Sequence, residues 1–205
     1  MAKFLSVSGR ATVAKFLDPV AAGLVRWGLS PNAVTVLGTL GVIASSVLLL
    51  ARGELLWALI GITLSVCTDL LDGAMARIKG GGGRFGAMLD STMDRIADGA
   101  VFGGLAFWLA TTDRFATMAA ALVCLVAAEV TSYAKARAEG LGVRCDVGVV
   151  ERAERLVLVG VAALLYLFGV PYGMPVTLWL LAALSVFTVG QRLWYVKREL
   201  SRTAT

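Results

Sequence analysis

Apolar runs about 20 residues long recur along the chain, and polar breaks separate them. This pattern predicts six membrane-spanning helices, at roughly 33–51, 55–78, 85–110, 115–138, 152–169 and 174–197. Pro31-Asn32 opens the first run, Arg52-Gly53-Glu54 forms a short hairpin, and Gly80–Gly83 parts the second run from the third. Asp113-Arg114 makes the next turn, a longer polar link at about 139–151 precedes the fifth run, and Pro171 to Pro175 divides the last two. Ahead of the runs, Phe4, Leu5, Val13, Phe16 and Leu17 alternate with Lys3, Arg10 and Lys15. That alternation predicts an amphipathic helix at the membrane surface within residues 1–30, with a plain basic tail as the alternative. The stretch lacks the apolar core and cleavage site of a signal peptide. The expected architecture is an all-α membrane protein with one domain, residues 1–205, in which a six-helix bundle over 31–205 follows the juxtamembrane segment. No internal repeat stands out.

Composition agrees, since 58% of the 205 residues are hydrophobic, against about 45–50% in soluble domains. The cations then orient the helices. With both termini cytoplasmic, nearly every lysine and arginine outside the helix interiors falls on the inner side, and the outer loops keep only Arg52 and Arg114. The net charge of +5 therefore reflects topology and contact with anionic lipid or phosphate rather than nucleic-acid binding, for which no stacking aromatics are present. Trp27, Trp57, Trp108, Trp179 and Trp194 lie near helix ends and are expected as interfacial anchors. Cys67, Cys124 and Cys145 show no pair or metal spacing, and two of them lie in apolar runs as expected buried thiols. Histidine is absent, which excludes histidine-based zinc or triad chemistry and leaves carboxylate, lysine or tyrosine as the general base.

The second and third runs carry charges that membrane helices normally avoid: Asp69 and Asp72, then Asp90 and Asp94. Asp69, Asp72, Gly73 and Ala76 share one helical face, and Asp90 and Asp94 stand one turn apart on another. The glycine break lets the two helices turn back antiparallel, so these faces can meet. A central membrane aspartate costs about 2.5–3.5 kcal/mol on insertion scales, and converging carboxylates add mutual repulsion. Arg77 and Arg95 could offset part of this cost. An all-carboxylate, thiol-free site otherwise suits a hard divalent cation such as Mg²⁺ or Mn²⁺, as in two-ion displacement at phosphorus. A structural salt-bridge network or an ion path through the membrane is the alternative. Gly73, Ala76, Gly86 and Ala87 fit either close helix packing or a ligand's approach. Asp98 continues the Asp90–Asp94 face, and is expected to orient Arg95 or hold water.

Asp69-x2-Asp72-Gly73-x2-Ala76-Arg77-x8-Gly86-x3-Asp90-x3-Asp94 resembles the complete signature of the CDP-alcohol phosphotransferase family. The resemblance extends through all six runs, including Ser30-Pro31-Asn32. It implies transfer of a phosphatidyl group from CDP-diacylglycerol to an alcohol, with release of CMP. It also implies that Asp69, Asp72, Asp90 and Asp94 share two metal ions, with Asp94 doubling as the base. Gly73, Arg77 and the loop near Gly83 would hold the nucleotide end, bordered by Pro31, Asn32, Ala33 and Val34 from the first helix. A dimer in the plasma membrane with a cytoplasmic active site follows by the same resemblance.

The segments Thr131–Glu139 and Glu151–Arg155 resemble the actinobacterial phosphatidylinositol phosphate synthases of that family, whose acceptor is inositol 1-phosphate. A phosphorylated acceptor at an acidic site needs cations of its own, and arginine is well shaped for phosphate. Lys135, Arg152, Arg155 and Arg192 are the candidates, with Ser132 as a hydroxyl partner. Phosphatidylglycerol phosphate synthesis, whose acceptor also bears a phosphate, and a small cation transporter are the rival functions.

Overall fold

The computed structural model describes residues 17–81 and 83–203. The expected basic amphipathic stretch before residue 17, Gly82 and the last two residues lie outside them. Seven α-helices account for most of the described chain, and no strand occurs among the described residues. They are α1 (17–26), α2 (Pro31–Leu48), α3 (Leu55–Ile78), α4 (Gly83–Thr111), α5 (Phe115–Gly140), α6 (Arg152–Leu167) and α7 (Gly173–Thr203), with a short 3-10 turn at Leu50–Arg52. The expected helix boundaries therefore agree to within three residues, except that α7 runs six residues past the expected end at 197.

Four segments, 31–52, 55–78, 115–140 and 173–202, are long and apolar enough to cross a membrane. The chain is thus an all-helical membrane protein. The other two predicted spans miss for separate reasons. Even the last 18 residues of α4, 94–111, carry three charges, Asp94, Arg95 and Asp98, while α6 has 16 residues, or about 24 Å against a hydrocarbon core of about 30 Å. Leu37, Leu64, Val126, Leu180 and Phe187 stand exposed on the spans, whereas Thr35, Thr39, Thr131, Ser185 and Thr188 are buried. Apolar groups thus face lipid, and small hydroxyls face neighbouring helices.

The chain divides into two compact units, Met1–Ser45 with Ile60–Ala97, and Ser46–Leu59 with Asp98–Thr205. In the first, Ala21, Val34, Ala74 and Met75 form a core that Leu24, Val25, Leu29 and Leu71 complete. Helix α1 accordingly packs its inner face on α2 and α3, while Val20 and Trp27 stay exposed. Ser30 caps α2, its Oγ accepting from the Ala33 N–H at 3.1 Å, and Pro31 follows at the first helical position, where a missing N–H costs nothing. Helix α3 ends in a Schellman motif, in which Gly81 N–H donates to the Ala76 carbonyl and Gly80 N–H to that of Arg77. Gly80 sits at φ +88°, where a side chain would be strained.

In the second unit, Phe102, Cys124, Val150, Leu181 and Ala182 form the core. Trp108 is buried, not an interfacial anchor, and packs edge-on to Tyr166 at 5.2 Å between ring centroids. Arg114 lies over the Tyr166 ring at 4.7 Å. All three cysteines are free. Cys145 is buried in the loop before α6, whereas Cys67, in an apolar run, is exposed.

Two glycines set the α2–α3 register. A Cβ at Gly38 would overlap Thr68 Oγ1 and come within 3.1 Å of the Ser65 carbonyl oxygen, and one at Gly41 would overlap Ser65 Oγ. Replacing Gly38 with Ala should destabilise the protein by about 1–3 kcal/mol, as overpacking does. Gly99→Ala, where nothing lies within 4 Å of the new carbon, should unfold close to wild type. Thermal unfolding in detergent compares the two, and equal transitions would show that the α2–α3 contact is not tight.

Candidate active site

The α2–α3 register determines what meets the first acidic pair. Gly38 faces Thr68 and Gly41 faces Ser65. Continuing that antiparallel pairing one turn toward the start of α2 brings Thr35 to Asp72, and Thr35 Oγ1 donates to Asp72 Oδ2. Asp72 is 7% exposed. Its charge interacts with those of Asp69 and Asp90, which places carboxylates of α3 and α4 in one electrostatic neighbourhood. Asp69 and Asp94 are half-buried and Asp90 is exposed, so the group grades from a buried end to an open one. Asp94 Oδ2 lies 3.8 Å from Arg95 Nη2.

These donors are hard oxygens on opposed helices, which fits a hard divalent cation. The Thr35 hydroxyl is the kind of outer partner that orients a ligating carboxylate. Among the described residues, no three carboxylate or thiol groups close on a single point. Like charges stand apart unless a cation draws them together.

The small residues divide by role. Gly38 and Gly41 are packing glycines, whereas a Cβ at Gly73 would meet only Arg77 Nη1, at 3.8 Å, and one at Gly86 only Asn32 Oδ1, at 3.4 Å. Asn32 at the start of α2 is therefore a neighbour of Gly86 at the start of α4, and Arg77 is exposed alongside Gly73. Pro31 and Ala33 are half-buried. The Val34 side chain is committed to the core with Met75 and Ala74. Gly83 opens α4 at φ +64° with open space around it.

The predicted phosphate-binding cations all lie in the second unit, and each already has partners. Arg155, 3% exposed, donates from Nη2 to Asp98 Oδ2 at 2.8 Å, and Arg152 Nε stands 3.6 Å from Asp98 Oδ1. Arg192 is a clamp. Its Nε donates to the Val147 carbonyl at 2.7 Å, its Nη1 to that of Thr131 at 2.8 Å, and its Nη2 reaches Glu151 Oε1 at 3.4 Å. Two of its five donors are left over. Lys135 Nζ donates to Asp146 Oδ1 at 3.0 Å, and Arg144 Nε to Asp146 Oδ2 at 2.6 Å. The Lys135 hydrogen bond, with Arg144 second, holds the Asp146 carboxyl below the usual carboxylate range. Ser132 Oγ donates to the Ala128 carbonyl at 3.0 Å.

Two features escape a reading of the sequence. Thr35 is one, although Thr35 and Thr39, a turn apart beside Gly38 in an apolar helix, mark a polar inner stripe. The other is the loop before α6, which supplies Asp146, Val147 and Glu151 as partners of the cations. Gly148 there stands so close to α7 that a Cβ would lie 2.9 Å from Thr188 Cγ2. No spacing rule pairs a loop carbonyl with an arginine 45 residues away.

Known proteins supply an independent measure. A phosphatidylinositol phosphate synthase of Mycobacterium marinum is 48% identical over 201 residues, spanning 95% of this chain and 84% of the relative. One of Streptomyces avermitilis is 48% identical over 203 residues, with 95% and 83% covered. The crystal structure of the Mycobacterium tuberculosis phosphatidylinositol phosphate synthase with CDP-DAG bound superposes with a TM-score of 0.84 at 47% identity, covering 89% of this chain and 94% of the other. A second crystal structure of that enzyme, in complex with manganese and citrate, gives 0.83 at 48% identity, with 88% of each chain covered. The CDP-alcohol phosphatidyltransferase profile matches residues 28–190. With most of its length inside that match, the chain belongs to the CDP-alcohol phosphatidyltransferase family.

Proposed function

We infer that the chain is a phosphatidylinositol phosphate synthase, which transfers the phosphatidyl group of CDP-diacylglycerol to inositol 1-phosphate and releases CMP. The observation that carries this is the shared electrostatic neighbourhood of Asp69 and Asp90 with the buried, Thr35-bonded Asp72, in a chain nearly half identical to synthases of that product. The manganese and CDP-DAG found in the solved relatives are the ligands that this donor set and this family predict.

In the proposed mechanism, Asp69, Asp72, Asp90 and Asp94 hold the metal. Two Mg²⁺ or Mn²⁺ ions bound there would polarise the pyrophosphate and offset the charge of the departing CMP. Asp94 takes the proton of the acceptor hydroxyl as its oxygen attacks the phosphorus that carries the diacylglycerol. An alcohol far from ionised at neutral pH needs such a base. The new phosphorus–oxygen bond forms as the pyrophosphate bridge breaks, and the bridging oxygen leaves with CMP. Gly73, which has no packing partner beyond Arg77, leaves the α3 backbone open to the nucleotide. Arg77, Gly83, Pro31, Asn32 and Ala33 border it. Val34 supports that border from the core. Ser132, Lys135, Arg152, Arg155 and the remaining donors of Arg192 hold the acceptor's phosphate, which has to displace Asp146 from Lys135.

The family match runs through both compact units, which supports one catalytic domain over the whole chain. We also propose six membrane-embedded helices. Burial of Asp98 lets the charged end of α4 enter the hydrocarbon region, and the short α6 needs only local thinning or flanking polar groups. The one-sided distribution of cations supports cytoplasmic termini and a cytoplasmic active site, and residence in the plasma membrane is proposed with them. A homodimer is the proposed assembly.

Purified enzyme given CDP-diacylglycerol with inositol 1-phosphate, glycerol 3-phosphate or free inositol in turn should release CMP quickly only with the first. Preference for glycerol 3-phosphate would establish the rival synthase. Asp94→Asn should lower turnover by at least about 100-fold, within the range general base removal brings, while melting close to wild type. Normal turnover would sink the base role. Thr35→Val should raise the Mn²⁺ concentration for half-maximal activity about tenfold, as loss of an outer-sphere partner does, and Thr35→Ser should restore it. An unshifted metal curve would reduce the Thr35 contact to packing.

A further inference from the structure

Asp98 follows Asp94 by four residues, and its position invites assignment as a fifth metal-site carboxylate. Its surroundings say otherwise. The side chain is 1% exposed, with one oxygen bonded to Arg155 Nη2 at 2.8 Å and the other 3.6 Å from Arg152 Nε. A divalent cation placed there would sit within a few ångströms of two fixed guanidinium charges, and repulsion opposes it. Arg155 is 3% exposed on its side chain. Its Nη2 is held by Asp98, while its Nε is buried and makes no hydrogen bond to any described residue. One edge of the guanidinium fork is thus anchored, and a buried donor is left without a protein acceptor. That donor needs an acceptor of some kind, because an unsatisfied buried N–H is costly.

We propose that Asp98 is a positioning residue for acceptor recognition: from α4 it anchors Arg155, and beside it Arg152, so that Arg155's remaining donors meet the phosphate of the incoming alcohol. The proposal rests on the reading of Arg155 as an acceptor-phosphate group. A rigid fork loses less freedom on binding a phosphate than a mobile one, so anchoring acts on affinity for the acceptor. The nucleotide substrate and the metal do not enter that balance.

Steady-state kinetics on the purified full-length enzyme, with CDP-diacylglycerol, inositol 1-phosphate and Mn²⁺ each varied, tests this. Asp98→Asn keeps the shape but removes the charge, and should raise KM for inositol 1-phosphate about tenfold, the scale of a lost charge-assisted bond. KM for CDP-diacylglycerol and the Mn²⁺ activation curve should stay within about twofold of wild type. A purely structural role would lower the melting temperature and leave the acceptor KM of the folded fraction unchanged, which overturns the proposal. A shifted Mn²⁺ curve with unchanged acceptor KM would make Asp98 a metal-site residue and overturn it equally. If Asp98→Asn does not fold, Asp98→Glu keeps the charge and displaces it by one methylene, and the same rise in acceptor KM is required. Arg155→Lys separates the two levels. If it leaves acceptor KM unchanged, the acceptor reading of Arg155 fails. If it raises acceptor KM and the Asp98 variants do not, only the positioning role fails.

Discussion

A carboxylate carried on a membrane helix has lost the water that stabilised it, and some other group has to replace those interactions. Here Asp69, Asp72, Asp90, Asp94 and Asp98 all lie on α3 and α4, so much of the surrounding structure serves to answer their charge. In the first unit that answer begins with two glycines. Gly38 and Gly41 let α2 lie close on Ser65 and Thr68 of α3, and the register of that contact presents Thr35 to Asp72. A larger residue at either position would move the hydroxyl away from the carboxylate, so packing and electrostatics are one constraint here.

Asp72 and Asp98 show two ways of meeting that constraint, with opposite consequences. Both are buried. Asp72 is held by neutral donors, the Thr35 hydroxyl and the Gly73 N–H. These orient its oxygens without cancelling its charge, so the carboxylate keeps its attraction for a cation. Asp98 is met by guanidinium groups instead, and its charge is spent inside the protein. Two aspartates of similar burial therefore present different electrostatics because their partners differ. Proximity in sequence to the signature is thus a poor guide to how an aspartate is partnered.

Much of this was legible in the sequence, and the limits have physical causes. Helix ends followed from apolar periodicity, glycine and proline, since those signals are local. The acidic quartet was legible because charge in a membrane helix is expensive and its spacing is helical. The contacts of Asp98 with Arg155 and Arg152 span more than 50 residues, beyond the reach of any spacing rule. Trp108 read as an anchor from its place near a helix end. Gly53 allows close approach there, since a Cβ would lie 2.6 Å from the Trp108 indole nitrogen, and the ring is buried. Thr35 was missed because a lone threonine in an apolar helix looks like filler until the facing helix is known.

In the proposed acceptor site, the cations of the second unit bear on selectivity. None of Lys135, Arg155 or Arg192 is a loose surface charge: each is fixed by a carboxylate or a backbone carbonyl before any acceptor arrives. Arg192 secures the loop before α6 to α5 through the Val147 and Thr131 carbonyls, and the same loop supplies Asp146 to Lys135. A neutral alcohol brings nothing to compete with Asp146 for that lysine. A phosphomonoester brings up to two charges and several acceptor oxygens, and can replace the carboxylate at little cost because the exposed pair it breaks is weak. On the proposed reading of Lys135 as an acceptor-phosphate group, the loop favours a phosphorylated acceptor by occupying the lysine with a carboxylate that a phosphate can replace.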